Sequence, residues 1–297
     1  MRIKLVGLGK MGSNLALNLK DHGYEVIGYD ANEQVRNQLK DDITIVDSFK
    51  ELLKSDHKRR IIWLLIPSQI VDKVLEDMLP YLNENDIVID GGNSNFNISI
   101  RRYHYLKSKH IDFVDLGTSG GIKGASHGLC LMAGGDKDVI EYLTPIFNKV
   151  SVENGFSHVG KPGAGHFAKM VHNGIEYGMM QAIAEGFDVL ESSPYEFDLN
   201  QITNLWNHGS VIESKLLEHV GDAFKDNPKL SGIEGIIDDS GYGMWMIEEA
   251  MKLKVSMPVI TQSLYARYKS RDENHFAEKV VAAMRKEFGG HAVYKKK

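Results

Sequence analysis

The chain has 297 residues, with 35 Lys and Arg against 40 Asp and Glu, a net charge of −5, and 42% hydrophobic and 25% charged residues. That length accommodates two domains with substantial cores, and the composition is that of a globular protein. The mild acidity argues against nucleic-acid binding, which needs a basic field to neutralise phosphates, but leaves room for a small anionic substrate held by local positive groups.

The first half alternates short β-rich runs with helical patterns. Strands are expected at 3–7, 25–29, 43–46, 61–66, 86–90, 112–116 and 128–133, with helices at 10–21, 33–40, 49–54, 70–81, 97–109 and 137–147. Several of the strands are continuous apolar runs, as parallel strands covered on both faces should be. This alternation predicts an α/β, Rossmann-like, doubly wound N-terminal domain. Lys161-Pro162-Gly163-Ala164-Gly165 then forms a turn-rich hinge. Beyond it nearly every segment is helical in pattern, at 165–191, 200–224, 244–252, 258–269 and 275–288. The expected organisation is a dinucleotide-binding domain over 1–162 and an all-α C-terminal substrate and dimerisation domain over 163–297.

Several features bound the setting. One cysteine, Cys130, excludes an intrachain disulfide framework and is expected in a strand as a small hydrophobe. The N-terminus enters a strand without a signal-peptide pattern, and no apolar run approaches the ~20 residues of a membrane span. A cytoplasmic protein without membrane contact is therefore expected. The cluster His57-Lys58-Arg59-Arg60 is predicted as an exposed loop and Lys295-Lys296-Lys297 as a solvated tail. No metal site is expected.

Gly7-Leu8-Gly9-Lys10-Met11-Gly12 is a G-x-G-x-x-G that follows a strand and opens a helix. Gly7 permits the tight turn, Gly9 lets a pyrophosphate approach the backbone, and Gly12 allows close helix–sheet packing. Free N–H groups at a helix start favour phosphates. Asp30 ends the second strand, eighteen residues after Gly12. A carboxylate there accepts hydrogen bonds from both ribose hydroxyls and repels a 2′-phosphate, which predicts NAD in preference to NADP. Arg36, on the next helix, is expected as a surface residue, with reach to a 2′-phosphate as the alternative.

The most informative segment is 165–178. Lys169, His172, Asn173, Glu176 and Tyr177 are offset by 0, 3, 4, 7 and 8 residues, which places an amine, an imidazole, an amide, a carboxylate and a phenol on one stripe of a helix. Such a stripe is usually apolar, so this one marks a site.

These motifs, with Asp90-Gly91-Gly92-Asn93-Ser94, Gly117-Thr118-Ser119-Gly120-Gly121 and Phe288-Gly289-Gly290-His291, resemble the decarboxylating 6-phosphogluconate dehydrogenases in their short form. The resemblance runs through nearly the whole chain. The glycine motifs are shared with the wider β-hydroxyacid dehydrogenase group, whereas the Lys169-to-Tyr177 block is far more specific. The resemblance implies oxidation of 6-phosphogluconate at C3, loss of CO₂ and release of ribulose 5-phosphate, a step of the pentose phosphate pathway. It implies Lys169 as the base, which must be unprotonated when substrate binds, and Glu176 as the acid that protonates C1 of the enediol. It assigns Asn93, Ser119, Gly120, Gly121, His172 and Asn173 to substrate contact and Tyr177 to the phosphate. Arg285 and His291 match tail residues that reach into a partner's site, implying a homodimer with composite sites.

Two departures stand out. Trp206-Asn207-His208-Gly209-Ser210-Val211-Ile212-Glu213-Ser214 carries Glu213 where the family usually shows a phosphate-binding arginine. Gly241-Tyr242-Gly243-Met244-Trp245-Met246 lacks the family's lysine and threonine. Either the phosphate is held by the remaining groups with weaker affinity, or the substrate is another β-hydroxyacid or an unphosphorylated sugar acid. A 3-hydroxyisobutyrate-type dehydrogenase and an NAD-binding regulatory protein without turnover are the competing readings.

Overall fold

The computed structural model describes residues 1–54 and 59–294. His57, Lys58 and the Lys295–Lys297 tail lie outside the described residues. Two compact units divide the chain, Met1–His172 and Asn173–Lys297.

The first unit runs β1 (Arg2–Val6), α1 (Lys10–Asp21), β2 (Glu25–Tyr29), α2 (Glu33–Leu39), β3 (Thr44–Ile45), α3 (Phe49–Leu52), β4 (Ile61–Leu64), α4 (Val71–Met78), β5 (Ile87–Asp90), α5 (Phe96–Lys107), β6 (Asp112–Ser119), α6 (Gly121–His127), β7 (Leu129–Gly134), α7 (Lys137–Val150) and β8 (Ser151–Gly160). Its sheet has the order β3-β2-β1-β4-β5-β6-β7-β8. The first six strands are parallel; β7 is antiparallel to β6, and β8 runs parallel to β7. The order reverses at β1 and β4, the switch point where doubly wound sheets bind their ligands. Alternation in the strands explains why both faces are covered: Ile61 and Trp63 join one buried cluster, Ile62 and Leu64 the other. A continuous apolar run is what a strand sandwiched between two helix layers requires.

The structure departs from the sequence reading at five places in this unit. The edge strand β8 was not expected, because its Ser, Asn, Gly and His residues give no apolar alternation and it pairs on one side only. The short α6, interrupted by Gly124, was not expected either, and β6 continues past Leu116 to Ser119. Arg60 is no exposed loop residue: it is 3% exposed, and its guanidinium bonds both oxygens of buried Asp86 and the carbonyl of Tyr81. Cys130 does lie in a strand, β7, but is exposed rather than buried.

The helix α8 (Ala164–Ser192) runs from the first unit into the second. The second unit continues with α9 (Leu199–Trp206), α10 (Lys215–Asp226), α11 (Tyr242–Leu253), α12 (Pro258–Ser270) and α13 (Phe276–Gly289). Phe187, Leu199, Leu217 and Phe224 form its buried cluster. The single helix expected over 200–224 is two. Gly209 takes a left-handed φ of 84°, and Ser214 caps α10 by accepting from Leu217 N–H. The turn residues Asn207, His208 and Gly209 followed by a serine cap were a legible break.

Candidate functional site

In the first unit, the chain leaves β1 through Gly7 at φ 93°, where a Cβ would lie 2.4 Å from the Leu65 carbonyl oxygen. A Cβ on Gly12 would lie 1.9 Å from the Gly7 carbonyl oxygen, so α1 rests directly on the turn. Gly9, the N-cap of α1, differs: a Cβ there meets nothing within 4 Å, and no side chain caps the helix. Open space in front of uncapped N–H groups fits a pyrophosphate. Asp30 accepts from Leu8 N–H at 2.7 Å through Oδ2 and from Asn32 N–H at 2.8 Å through Oδ1. The Leu8 side chain is core and its N–H bonds Asp30, which ties the glycine loop to the end of β2. Each Asp30 oxygen keeps a further lone pair for a ribose hydroxyl. Arg36 is committed elsewhere, donating to the carbonyls of Asp30 and Ala31 and lying 3.0 Å from Asp47. Lys10 and Met11 begin α1, exposed and half-buried respectively.

The loop after β5 is pinned from below. Asp90, fully buried, accepts from Arg102, Ser94 and Gly92 N–H. Arg102 is anchored in turn by Asp72 at 2.6 Å. Partial burial pushes the Asp72 carboxyl up, but the guanidiniums of Arg102 and Arg101 more than offset this and hold it below its usual value. This network presents Asn93 at φ 53°, whose amide exchanges hydrogen bonds with Thr118 N–H and carbonyl at 2.9 and 3.2 Å. The loops after β5 and β6 are thereby tied together.

Lys169 is set against the end of β6. A Cβ on Gly165 would lie 2.4 Å from the carbonyl oxygens of Asp115 and Met132, and one on Gly117 would lie 2.7 Å from Lys169 Cβ. These glycines let α8 lie directly on β6 and β7. Fully buried Asp115 accepts from Gly163 N–H at 2.6 Å and His166 N–H at 2.8 Å, a negative group at the start of α8 where it is stabilising. Lys169 is 6% exposed. Its Nζ lies 3.4 Å from His172 Nδ1, and His172 Nε2 lies 3.3 Å from Ser119 Oγ. Gly120 and Gly121 follow with φ of 116° and 60°, turning the chain from β6 into α6.

In the second unit, Asn173, Glu176 and Tyr177 continue along α8. Glu176 is half-buried and lines a cavity of about 700 Å³ whose walls include Phe187, Leu199 and Phe224. Tyr177 is 7% exposed; its hydroxyl bonds Ser240 Oγ at 3.0 Å and accepts from Ser240 N–H at 3.2 Å. Sequence reasoning missed the residue above it. Arg267 of α12 is buried, with its guanidinium carbon 3.6 Å from the centre of the Tyr177 ring and Nη1 donating to the Asp238 carbonyl at 2.8 Å. Among the described residues it has no carboxylate partner. A basic residue in the last turn of a helix is usually solvated and gives no local sign of burial, so only the fold identifies it. Arg285 lies exposed on α13 and His291 exposed just beyond it. Glu213 is exposed, and its carboxylate accepts from Gly209 N–H at 3.0 Å, within its own loop.

Residues 2–160 match the model of the NAD binding domain of 6-phosphogluconate dehydrogenase, and residues 165–296 match that of its C-terminal domain. The chain belongs to the 6-phosphogluconate dehydrogenase family. A Bacillus subtilis (strain 168) protein, YqeC, is 47% identical over 297 residues, covering all of both chains. The NAD(+)-dependent, decarboxylating 6-phosphogluconate dehydrogenase of Haloferax volcanii is 38% identical over 302 residues, covering 100% of this chain and 99% of its own. The solved 6-phosphogluconate dehydrogenase of Plasmodium falciparum superposes with a TM-score of 0.83 at 28% identity, over 100% of this chain and 66% of that one. The chain thus spans the full length of the two shorter family members and about two thirds of the longer one. No described helix is long and apolar enough to cross a membrane.

Proposed function

We propose that this chain is an NAD-dependent decarboxylating 6-phosphogluconate dehydrogenase, converting 6-phosphogluconate to ribulose 5-phosphate and CO₂. The observation that carries this reading is buried Lys169, held by close glycine contacts at the end of β6 within a nucleotide-binding fold. NAD fits the open approach at Gly9 and the carboxylate of Asp30, with Gly7, Gly12, Lys10, Met11 and Asn93 shaping its surroundings. When bound, it takes the hydride from C3.

Lys169 removes the C3 hydroxyl proton. As an ammonium it then polarises the new ketone, which is β to the carboxylate, so the electrons released with CO₂ flow into an enediol stabilised at that oxygen. Glu176 supplies the proton to C1. Ser119, Gly120 and Gly121 receive the carboxylate, and Asn93, His172 and Asn173 the hydroxyls. Tyr177 and Arg267 receive the phosphate. We assign Arg285 and His291 to the site of a second copy, in a homodimer.

NADH formation tests the reading. Wild-type protein should reduce NAD faster than NADP with 6-phosphogluconate and release one CO₂ per NADH. Lys169→Met should abolish the signal. Turnover of 3-hydroxyisobutyrate with none of phosphogluconate would overturn the substrate. Mixed dimers of inactive Lys169→Met and Arg285→Ala chains should recover activity if the tail completes a partner's site, and their failure to do so would return Arg285 to its own surface.

A further inference from the structure

We infer that His172 is a proton conduit for Lys169, a role beyond substrate contact that rests on the reading of Lys169 as the base. A base must start each cycle unprotonated. Within a cycle Lys169 keeps the hydroxyl proton while Glu176 gives its own to C1, so, although the net reaction releases none, Lys169 must shed a proton before the next cycle. Its side chain is 6% exposed and lies against Gly117, where even a Cβ finds no space. Direct exchange with bulk water is therefore hindered.

The geometry offers a route. Lys169 Nζ is 3.4 Å from His172 Nδ1, and His172 Nε2 is 3.3 Å from Ser119 Oγ. An ammonium is donor only, so Nδ1 must present its lone pair and the ring proton sits on Nε2, directed at the serine oxygen. One Nζ–H bond breaks as the Nδ1–H bond forms. The Nε2 proton passes to Ser119 Oγ, and the serine's own proton leaves to solvent. The end of the chain is accessible: His172 and Ser119 are half-buried and Gly120 is exposed. Of the charged groups on its own helix, Lys169 lies one turn before His172 and Glu176 one turn after it. From β6, His172 faces Ser119, which stays neutral across the working range. Distances of 3.3–3.4 Å are long for a standing hydrogen bond, but catalytic bonds commonly tighten once substrate is present.

The test compares wild type with His172→Gln, which keeps hydrogen bonding but cannot carry a second proton, and His172→Ala, which leaves room for added imidazole. Thermal melts and NAD binding verify folding. His172→Gln should lose roughly a hundredfold in kcat, with the acid limb of its kcat/KM profile moved to higher pH. Imidazole should restore part of the His172→Ala rate in proportion to its unprotonated fraction. An unshifted profile, with the loss confined to KM and no rescue by imidazole, would reduce His172 to a substrate contact. Lys169→Met, run alongside, separates the two ideas. If it is inactive while the His172→Gln profile is unshifted, the conduit alone fails; if it is active, the base itself fails.

Discussion

Gly165→Ala probes how closely the position of Lys169 depends on the seating of α8. The added Cβ would lie 2.4 Å from two backbone carbonyl oxygens, of Asp115 and Met132. Ordinary contact begins near 3.4 Å, so the helix must retreat by about 1 Å. Neither obstacle can rotate away, because both are backbone atoms of strands β6 and β7. Overpacking of this kind costs about 1–3 kcal/mol, or a fall in Tm of roughly 2–4 °C per kcal/mol in a chain of this class. The catalytic effect should be larger. Lys169 lies one turn further along α8, and a displacement of ~1 Å at a reacting group typically costs about a hundredfold in rate. The control is Gly186→Ala on the same helix, where a Cβ meets nothing within 4 Å. It should raise stability by up to about 1 kcal/mol and leave kcat unchanged. Steady-state NADH formation and differential scanning calorimetry read both quantities. Gly165→Ala with wild-type kcat and Tm would refute the claim that these glycines set the base. A lowered Tm with intact kcat would show that the strain is absorbed before it reaches Lys169.

Three further outcomes follow from particular contacts. Asp30→Ala should raise the KM for NAD at least about tenfold and weaken discrimination against NADP, because a carboxylate that repels the 2′-phosphate is gone; an equal loss with both coenzymes would assign Asp30 to loop support alone. Arg267→Met should raise the KM for 6-phosphogluconate roughly tenfold to a hundredfold, with little effect on unphosphorylated gluconate, whereas Glu213→Arg should leave both within about twofold; parallel losses on both substrates for Arg267→Met would make its role structural. The Asp72 carboxyl is held below its usual value in the folded chain, so its contribution is complete above the unfolded value of ~3.9 and lost as pH falls through the lower folded value. Urea midpoints should therefore drop less on going from pH 7 to pH 3 in Asp72→Asn than in wild type, and identical drops would remove Asp72 from the acid response.

The glycine turn, Asp30 and the polar stripe of α8 were legible in the sequence because each is a local pattern: a spacing, a strand end, a helical period. Most of what stayed hidden depends on partners distant in the chain. Arg60 follows a charged cluster and looks solvated, but Asp86, 26 residues on, draws it inside. β8 has no apolar alternation of its own and exists as a strand through pairing with β7. The break between α9 and α10 was written locally in Gly209 and Ser214, and the helical period on either side masked it. Arg267 is the most consequential of these, since its neighbour Tyr177 is ninety residues earlier.

That residue also bears on the phosphate. From the sequence, Glu213 and Met244 suggest a site stripped of positive charge. In the folded second unit, Glu213 is engaged with Gly209 N–H in its own exposed loop, and Met244 is 43% exposed. Neither of them need govern the anion. Arg267, by contrast, is removed from water with a carbonyl, a thioether and an aromatic face as partners, and no carboxylate among the described residues. Burying a guanidinium without a counter-charge costs several kcal/mol, of which the Tyr177 ring returns about 2 kcal/mol or somewhat more. Such an arrangement is stable in the free chain only at the expense of affinity left unspent, and an incoming phosphate dianion is the kind of group that would use it. If Arg267 holds the phosphate as proposed, the Glu213 substitution leaves that charge in place, and the contrast between Arg267→Met and Glu213→Arg on one substrate is the measurement that distinguishes the two views.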